Sequence, residues 1–139
     1  MAQTIDIADT SGVNRQDVLA AKCTVTFGSG ADISGGSTAV TKQLFAIPAG
    51  AIVVGGYVNV TDATSANVDI HIQSADLAVY KADVDGAATG LTALVPTGYK
   101  YLADDTIDIM VDTANAAAAG SCDVVVQYII DGRAAFVQK

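Results

Sequence analysis

Between Val40 and Ile72 the chain reads VTKQLFAIPAGAIVVGGYVNVTDATSANVDIHI, and apolar and polar residues alternate through most of it. Alternation places Ile52, Val54, Val58 and Val60 on one face of an extended segment, and Val53, Tyr57, Asn59 and Thr61 on the other. The next run repeats the pattern, with Val68, Ile70 and Ile72 inward and Asn67, Asp69, His71 and Gln73 outward. A period of two over this length predicts half-buried antiparallel strands, here three strands joined by two turns. Pro48-Ala49-Gly50 makes the first turn, because Pro presets φ and Gly two residues later accepts a positive φ. Gly55-Gly56 inside a strand pattern predicts a bulge or a close backbone approach. Thr61 to Ala66 is a polar turn.

The same reading extends along the rest of the chain. Cys23 to Phe27 alternates, and Gly28 to Gly36 (GSGADISGG) reads as a surface loop, with no helix signal or closing Lys-Ser/Thr behind it. Leu77 to Lys81 and Leu91 to Val95 are short strand candidates, separated by a loop over Asp83 to Gly90. Pro96-Thr97-Gly98 turns the chain into Tyr99-Lys100-Tyr101, where alternation puts both tyrosines on one face. Thr106 to Asp112 has Ile107, Ile109 and Val111 inward and Asp108 and Asp112 outward. Thr113 to Gly120 is too short for a stable helix and reads as a loop. Asp123 to Ile130 is nearly continuous in apolar residues, the pattern of a strand buried on both sides. Asp131-Gly132 is a tight-turn pair, and Ala134 to Val137 would be a last strand. Eight or nine strands at this spacing predict an all-β antiparallel sandwich of the jelly-roll kind.

Residues 1–20 differ. Ile5 and Ile7 alternate briefly, and SGVNRQDVLAAK is compatible with one helical turn capped by Asn14. That is too little apolar surface for an independent unit, so 1–20 reads as an N-terminal arm and 21–139 as the sandwich domain. Ile5, Ile7, Val18 and Leu19 are its candidate contact residues, beside Tyr99 and Tyr101, a pair that reads first as packing and second as an interface anchor.

Composition sharpens this picture. All 15 acidic residues of the 139 are Asp, and Gly occurs 13 times. Without Glu, a good helix former, the chain is suited to strands and turns. Half the residues are hydrophobic (51%) yet few are aromatic (6%), so the core is one of small side chains, with apolar surface left over for partners. Net charge is −8, and Arg15, Lys22, Lys42, Lys81, Lys100, Arg133 and Lys139 are scattered singly. No basic cluster marks a nucleic-acid surface; the balance suits a positively charged protein partner. No apolar run reaches the ~20 residues of a membrane helix, and residues 1–12 carry Asp6 and Asp9 without the apolar stretch of a signal peptide.

Candidate chemistry is sparse. His71 is the lone histidine, on a polar face beside Asp69 and Gln73, and reads as a surface side chain without the further ligands a metal needs. Asp83-Val84-Asp85-Gly86 matches the start of a calcium loop, but the bidentate Glu that ends one is missing. Asp104, Asp105 and Asp108 form a second acidic group, read first as turn residues. Paired carboxylates are the minimum for glycoside chemistry, yet the tyrosines offer no clear sugar platform. No nucleophile-elbow sequence occurs. Cys23 and Cys122 lack CxxC spacing and read as small core residues; a disulfide would need their strands to be neighbours. The residues predict a non-enzyme with no cofactor and no metal.

The runs LFAIPAGAIVVGGYVNVTDA and DVDGAATGLTALVPTGYKYLADDTIDIMVDTANAAAAGSCDVVVQYI resemble the small β-rich head proteins of tailed bacteriophages. The shared patterns are φxIPAGxxVxGxxVxV, YxADDTIDφxV, an Ala/Gly turn and a closing Val-rich strand. They fall on Phe45–Val60, Tyr101–Val111, Ala116–Gly120 and Asp123–Ile130, within the two-thirds of the chain from Val40 to Ile130. The resemblance implies a capsid decoration (cement) protein: a jelly-roll-like sandwich, made in the host cytoplasm, that binds the outer surface of the virion's shell. Its partners would be the major capsid protein and further copies of itself, with a trimer favoured over a dimer. The other readings left open are a head fibre, a tail or adhesion module, or a carbohydrate- or calcium-binding sandwich.

Overall fold

A computed structural model describes residues 17–34, 39–65, 68–75, 78–112 and 119–131. These residues contain eight strands: β1 (Leu19–Thr26), β2 (Val40–Ile47), β3 (Ala51–Asp62), β4 (Asp69–Ser74), β5 (Val79–Asp85), β6 (Gly90–Ala93), β7 (Asp105–Asp112) and β8 (Ser121–Ile130). They form two antiparallel four-stranded sheets, ordered β1-β8-β3-β6 and β2-β7-β4-β5. The pairs β1·β8, β2·β7, β3·β6 and β4·β5 are successive rungs of one long antiparallel ribbon. Rolling that ribbon up gives the jelly roll. Among the described residues no helix is long and apolar enough to cross a membrane.

The rolling explains where sequence alternation misleads. β2, β3 and β4 follow one another in the chain but are not neighbours: β3 lies in one sheet, and β2 and β4 flank β7 in the other. The turn after β2 is therefore a corner between sheets. It is closed by Ala51 N donating to Pro48 O at 3.1 Å, with Gly50 at φ 84°. A period of two reports which face a residue occupies; it carries no information about which strand lies alongside.

The β3 faces need a second correction. Val53 pairs with Tyr128 and Gly55 with Gln127, so Val54 is an extra residue in the ladder. This bulge reverses the parity of the strand. Ala51 and Val53 point inward before it, and Val58 and Val60 after it, while Val54 is exposed. Outer β-strand positions also differ from expectation at β7. Ile107, Ile109 and Val111 are buried as the pattern requires, but Asp108 is only 5% exposed.

Elsewhere the segmentation shifts. β5 runs on to Asp85, inside the expected loop. Tyr99 and Tyr101 do not share a strand: Lys100 alone bridges, to Ile52. Leu19 to Lys22 belong to β1 instead of a helical turn. The loop after β1 is not wholly at the surface, because Gly28 N donates to Ile33 O, Ile33 N donates to Thr26 O, and Ile33 enters the core. Asn14, most of 113–120, and the expected last strand at 134–137 lie outside the described residues.

Both open sides of the sandwich are latched. On one, consecutive residues reach different sheets: Leu94 N donates to Gly56 O (3.0 Å) and Val95 N to Tyr80 O (2.8 Å). On the other, Asp32 joins β1 to β2. It accepts from Lys42 Nζ (2.6 Å), and from Thr26 N (3.1 Å) and Thr26 Oγ1 (2.9 Å). The Lys42 bond, followed by the Thr26 backbone bond, lowers the Asp32 carboxyl from 3.8 to about 2. A depressed carboxyl stabilises the fold above its unfolded value and loses that contribution as pH falls through the folded one. The melting-temperature gap between the wild type and Asp32→Asn is therefore expected to be full above pH 3.8 and to close as pH approaches about 2. A pH-independent gap in thermal melts would show that the latch does not act through its charge.

Candidate functional site

The segment 94–104 carries Leu102, the most exposed large apolar side chain among the described residues, together with exposed Val95 and Tyr99. It runs from β6 in one sheet to β7 in the other, crossing the end of the sandwich. Its backbone is pinned at both ends. Beyond the latch at Val95, Tyr101 N donates to Ala51 O (2.9 Å), Gly50 N donates to Tyr101 O (2.7 Å), and Ala49 N donates to Asp104 Oδ1 (2.9 Å). Lys100 Nζ meets Asp131 Oδ2 at 2.5 Å. Between these pins Val95 is 59% exposed and Leu102 86%. Leucine at that exposure on a segment held by backbone hydrogen bonds is apolar surface turned outward, the usual signature of an interaction site when several such residues lie together.

The two tyrosines of this segment have different roles. Tyr99 is exposed, while Tyr101 is 1% exposed, so Tyr101 is a core residue and is not available as an anchor. Their rings meet edge to face, with centroids 5.1 Å apart at 87°, a favoured aromatic geometry. Tyr101 therefore supports Tyr99 from beneath. The Tyr101 hydroxyl hydrogen-bonds the Tyr80 hydroxyl at 2.7 Å, tying the segment to β5, and Ser74 is a further partner. Burial raises both phenols above their ordinary value, so neither serves as a base near neutrality. Tyr80→Phe is expected to cost about 1–2 kcal/mol, since Tyr101 loses one buried partner and keeps Ser74. The urea midpoint should fall with an unchanged slope; no change would mean that the pair contributes nothing.

Of the arm residues, Val18 is exposed just ahead of β1, and Leu19 is half-buried at its start, opposite Tyr128. Ile5 and Ile7 lie outside the described residues. Val18 and Tyr99 are thus the exposed members of the candidate set among those described.

The polar candidates do not assemble a reaction centre. His71 Nε2 is buried without a hydrogen-bond partner and lies 3.8 Å from Asp83 Oδ1. Asp83 occupies a left-handed conformation at φ 55°, in the irregular part of β5. No Ser or Cys hydroxyl or thiol joins His71 in the hydrogen bonds of the described residues. Among them, no three His, Cys or Asp side chains are grouped to hold a metal ion. Cys23 and Cys122 are free thiols on adjacent strands. They are offset by two residues, because Cys23 pairs with Val124 and Cys122 with Val25. Burial first, then Asp123 and Cys23, push the Cys122 thiol up to about 12, which disfavours the reactive thiolate.

No protein-family model matches this chain, and no curated protein sequence does. Solved structures do match. A chain of the cyanophage Pam1 capsid asymmetric unit aligns with a TM-score of 0.63 at 18% identity, over 83% of this chain and 86% of that one. A chain in the capsid of Ralstonia phage GP4 gives 0.57 at 17% identity, over 84% and 86%. One in the acid-stable capsid of Helicobacter pylori bacteriophage KHP30 gives 0.52 at 17% identity, over 83% and 93%. At these identities the likeness establishes a common fold.

Proposed function

We propose that this chain is a non-enzymatic structural protein of a phage virion, a cement protein that binds the outer surface of the head and stabilises it by bridging major capsid proteins. The observation that carries the reading is the near end-to-end match of its jelly roll to single chains of three phage capsids. The likeness covers 83–84% of this chain and 86–93% of those chains. The pinned apolar segment around Val95, Tyr99 and Leu102 supplies a surface for assembly. Repetition over a shell lets weak contacts add up, because each arm or face that engages raises the effective concentration of the next.

In this reading the chain self-associates, with a trimer preferred, and the N-terminal arm crosses to a neighbour. Phage heads lacking the protein would be titrated with it and imaged. Saturation at a symmetric number of external sites is expected, and deletion of residues 1–14 should weaken binding while the thermal melt stays cooperative. Localisation at a single vertex would instead identify a tail component. Unchanged affinity after the deletion would remove the arm from the account.

A further inference from the structure

We propose that the outer face of the β2-β7-β4-β5 sheet is a docking surface for an extended basic segment of a neighbouring protein in the shell. The inference rests on the virion reading above and names the chemistry of one contact.

Three carboxylates lie in a single row across this face. Asp69 pairs directly with Asp85 on one side and with Asp112 on the other. The adjacent pairs Ile70–Val84 and Ile70–Val111 are buried, so all three Asp side chains project outward together. Like charges directly opposite one another on a sheet destabilise it. Lysines neutralise carboxylates elsewhere: Lys22 pairs with Asp123, Lys42 with Asp32 and Lys100 with Asp131. No such pair forms with Asp69, Asp85 or Asp112 among the described residues.

A second observation lies four residues along β7 on the same face. Asp108, 5% exposed, has its Oδ1 buried without a hydrogen-bond donor. Thr106 Oγ1 and His71 Nε2, on neighbouring outward positions of β7 and β4, likewise have no hydrogen-bond partner, although His71 Nε2 lies 3.8 Å from Asp83 Oδ1. Buried polar atoms are nearly always hydrogen-bonded, and a carboxylate oxygen calls for an N–H. In register Asp108 is flanked only by Gln43 and Gln73, whose flexible side chains can move aside for a donor.

The occupant follows from charge. A second copy of this face would bring the same carboxylates together in a chain of net charge −8, so the partner is a different, basic segment. Asp108 and Asp112 are about 14 Å apart at the rise of an antiparallel strand. An extended segment with arginine or lysine at every fourth position matches that spacing.

The test uses the full isotope-labelled chain and a short Gly/Ser peptide carrying arginines four residues apart, with a glutamate peptide of the same spacing as control. Amide shifts are expected to be confined to β4, β7 and the Asp85 end of β5, and affinity should fall as salt rises. Asp108→Asn with Asp112→Asn should weaken binding by about tenfold or more, while Asp123→Asn, on the other sheet, leaves it unchanged. Asp108→Asn alone should raise the melting temperature and lower peptide affinity, opposite movements that a purely structural residue would not give. Scattered shifts, equal binding of the glutamate peptide, the same shifts on adding calcium alone, or undiminished binding by the double variant would each overturn the proposal. On phage heads, unchanged decoration by the double variant removes this face but leaves the cement reading intact. Failure of the wild type to decorate, with the peptide still mapping to the face, does the reverse.

Discussion

Gly56→Ala is expected to destabilise the fold by about 3 kcal/mol or more, from steric overlap together with a backbone conformation that side chains avoid. Gly55→Ala, one residue earlier, should cost less than about 1 kcal/mol. The contrast is geometric. Gly56 sits just past the β3 bulge at φ 136°. A Cβ there would stand 2.1 Å from the carbonyl oxygen of Val125 and 2.9 Å from Leu94 Cδ1. Val125 O belongs to the β3·β8 ladder and cannot withdraw without disturbing the centre of the sheet, and Gly56 O also accepts the Leu94 latch. At Gly55 the nearest atom is Gln127 Oε1 at 3.0 Å, the free end of a flexible side chain. Equilibrium urea unfolding of both variants decides the matter. Equal midpoints would mean that the close approach at Gly56 is not there. Should Gly56→Ala fail to express in folded form, the survival of Gly55→Ala still separates the two sites.

That glycine pair shows how far the sequence could be read. Two adjacent glycines in an alternating strand announce a bulge, and one is present. What they cannot announce is its consequence, because parity after a bulge depends on which residue is extruded. Val54 is the residue left over, so Ile52 and Val54 face away from the core while Val58 and Val60 face it. In the runs without a bulge the inward positions were legible: Val68, Ile70 and Ile72, then Ile107, Ile109 and Val111, all turn inward. Tyr99 and Tyr101 mark the opposite limit. Their spacing suggested one shared face, but alternation presumes a strand, and 94–99 is held by latches to two different sheets. Tyr101 was turned into the core by its hydroxyl bond to Tyr80, a contact between segments 21 residues apart. The acidic row was illegible for a similar reason. Asp69, Asp85 and Asp112 come from three strands, and only the register of the rolled ribbon makes them neighbours.

Ile109→Ala is the second large effect, expected at about 2–5 kcal/mol, the range for truncating a fully buried aliphatic side chain. Ile109 is 0% exposed and lies opposite Ile72 on one side and Lys42 on the other, in the middle strands of its sheet. Its neighbours are held in two hydrogen-bonded ladders, so the space it vacates can close only by bending a sheet, and most of the cavity should persist. Val54→Ala is the matched comparison. Strict alternation would bury Val54 beside Val58; the bulge exposes it, and a cost within about 0.5 kcal/mol follows. Denaturant midpoints for the two variants, read at a common slope, test the interior and the bulge together. A large loss at Val54 would restore simple alternation along β3, and a small one at Ile109 would mean that the two sheets do not enclose a common core.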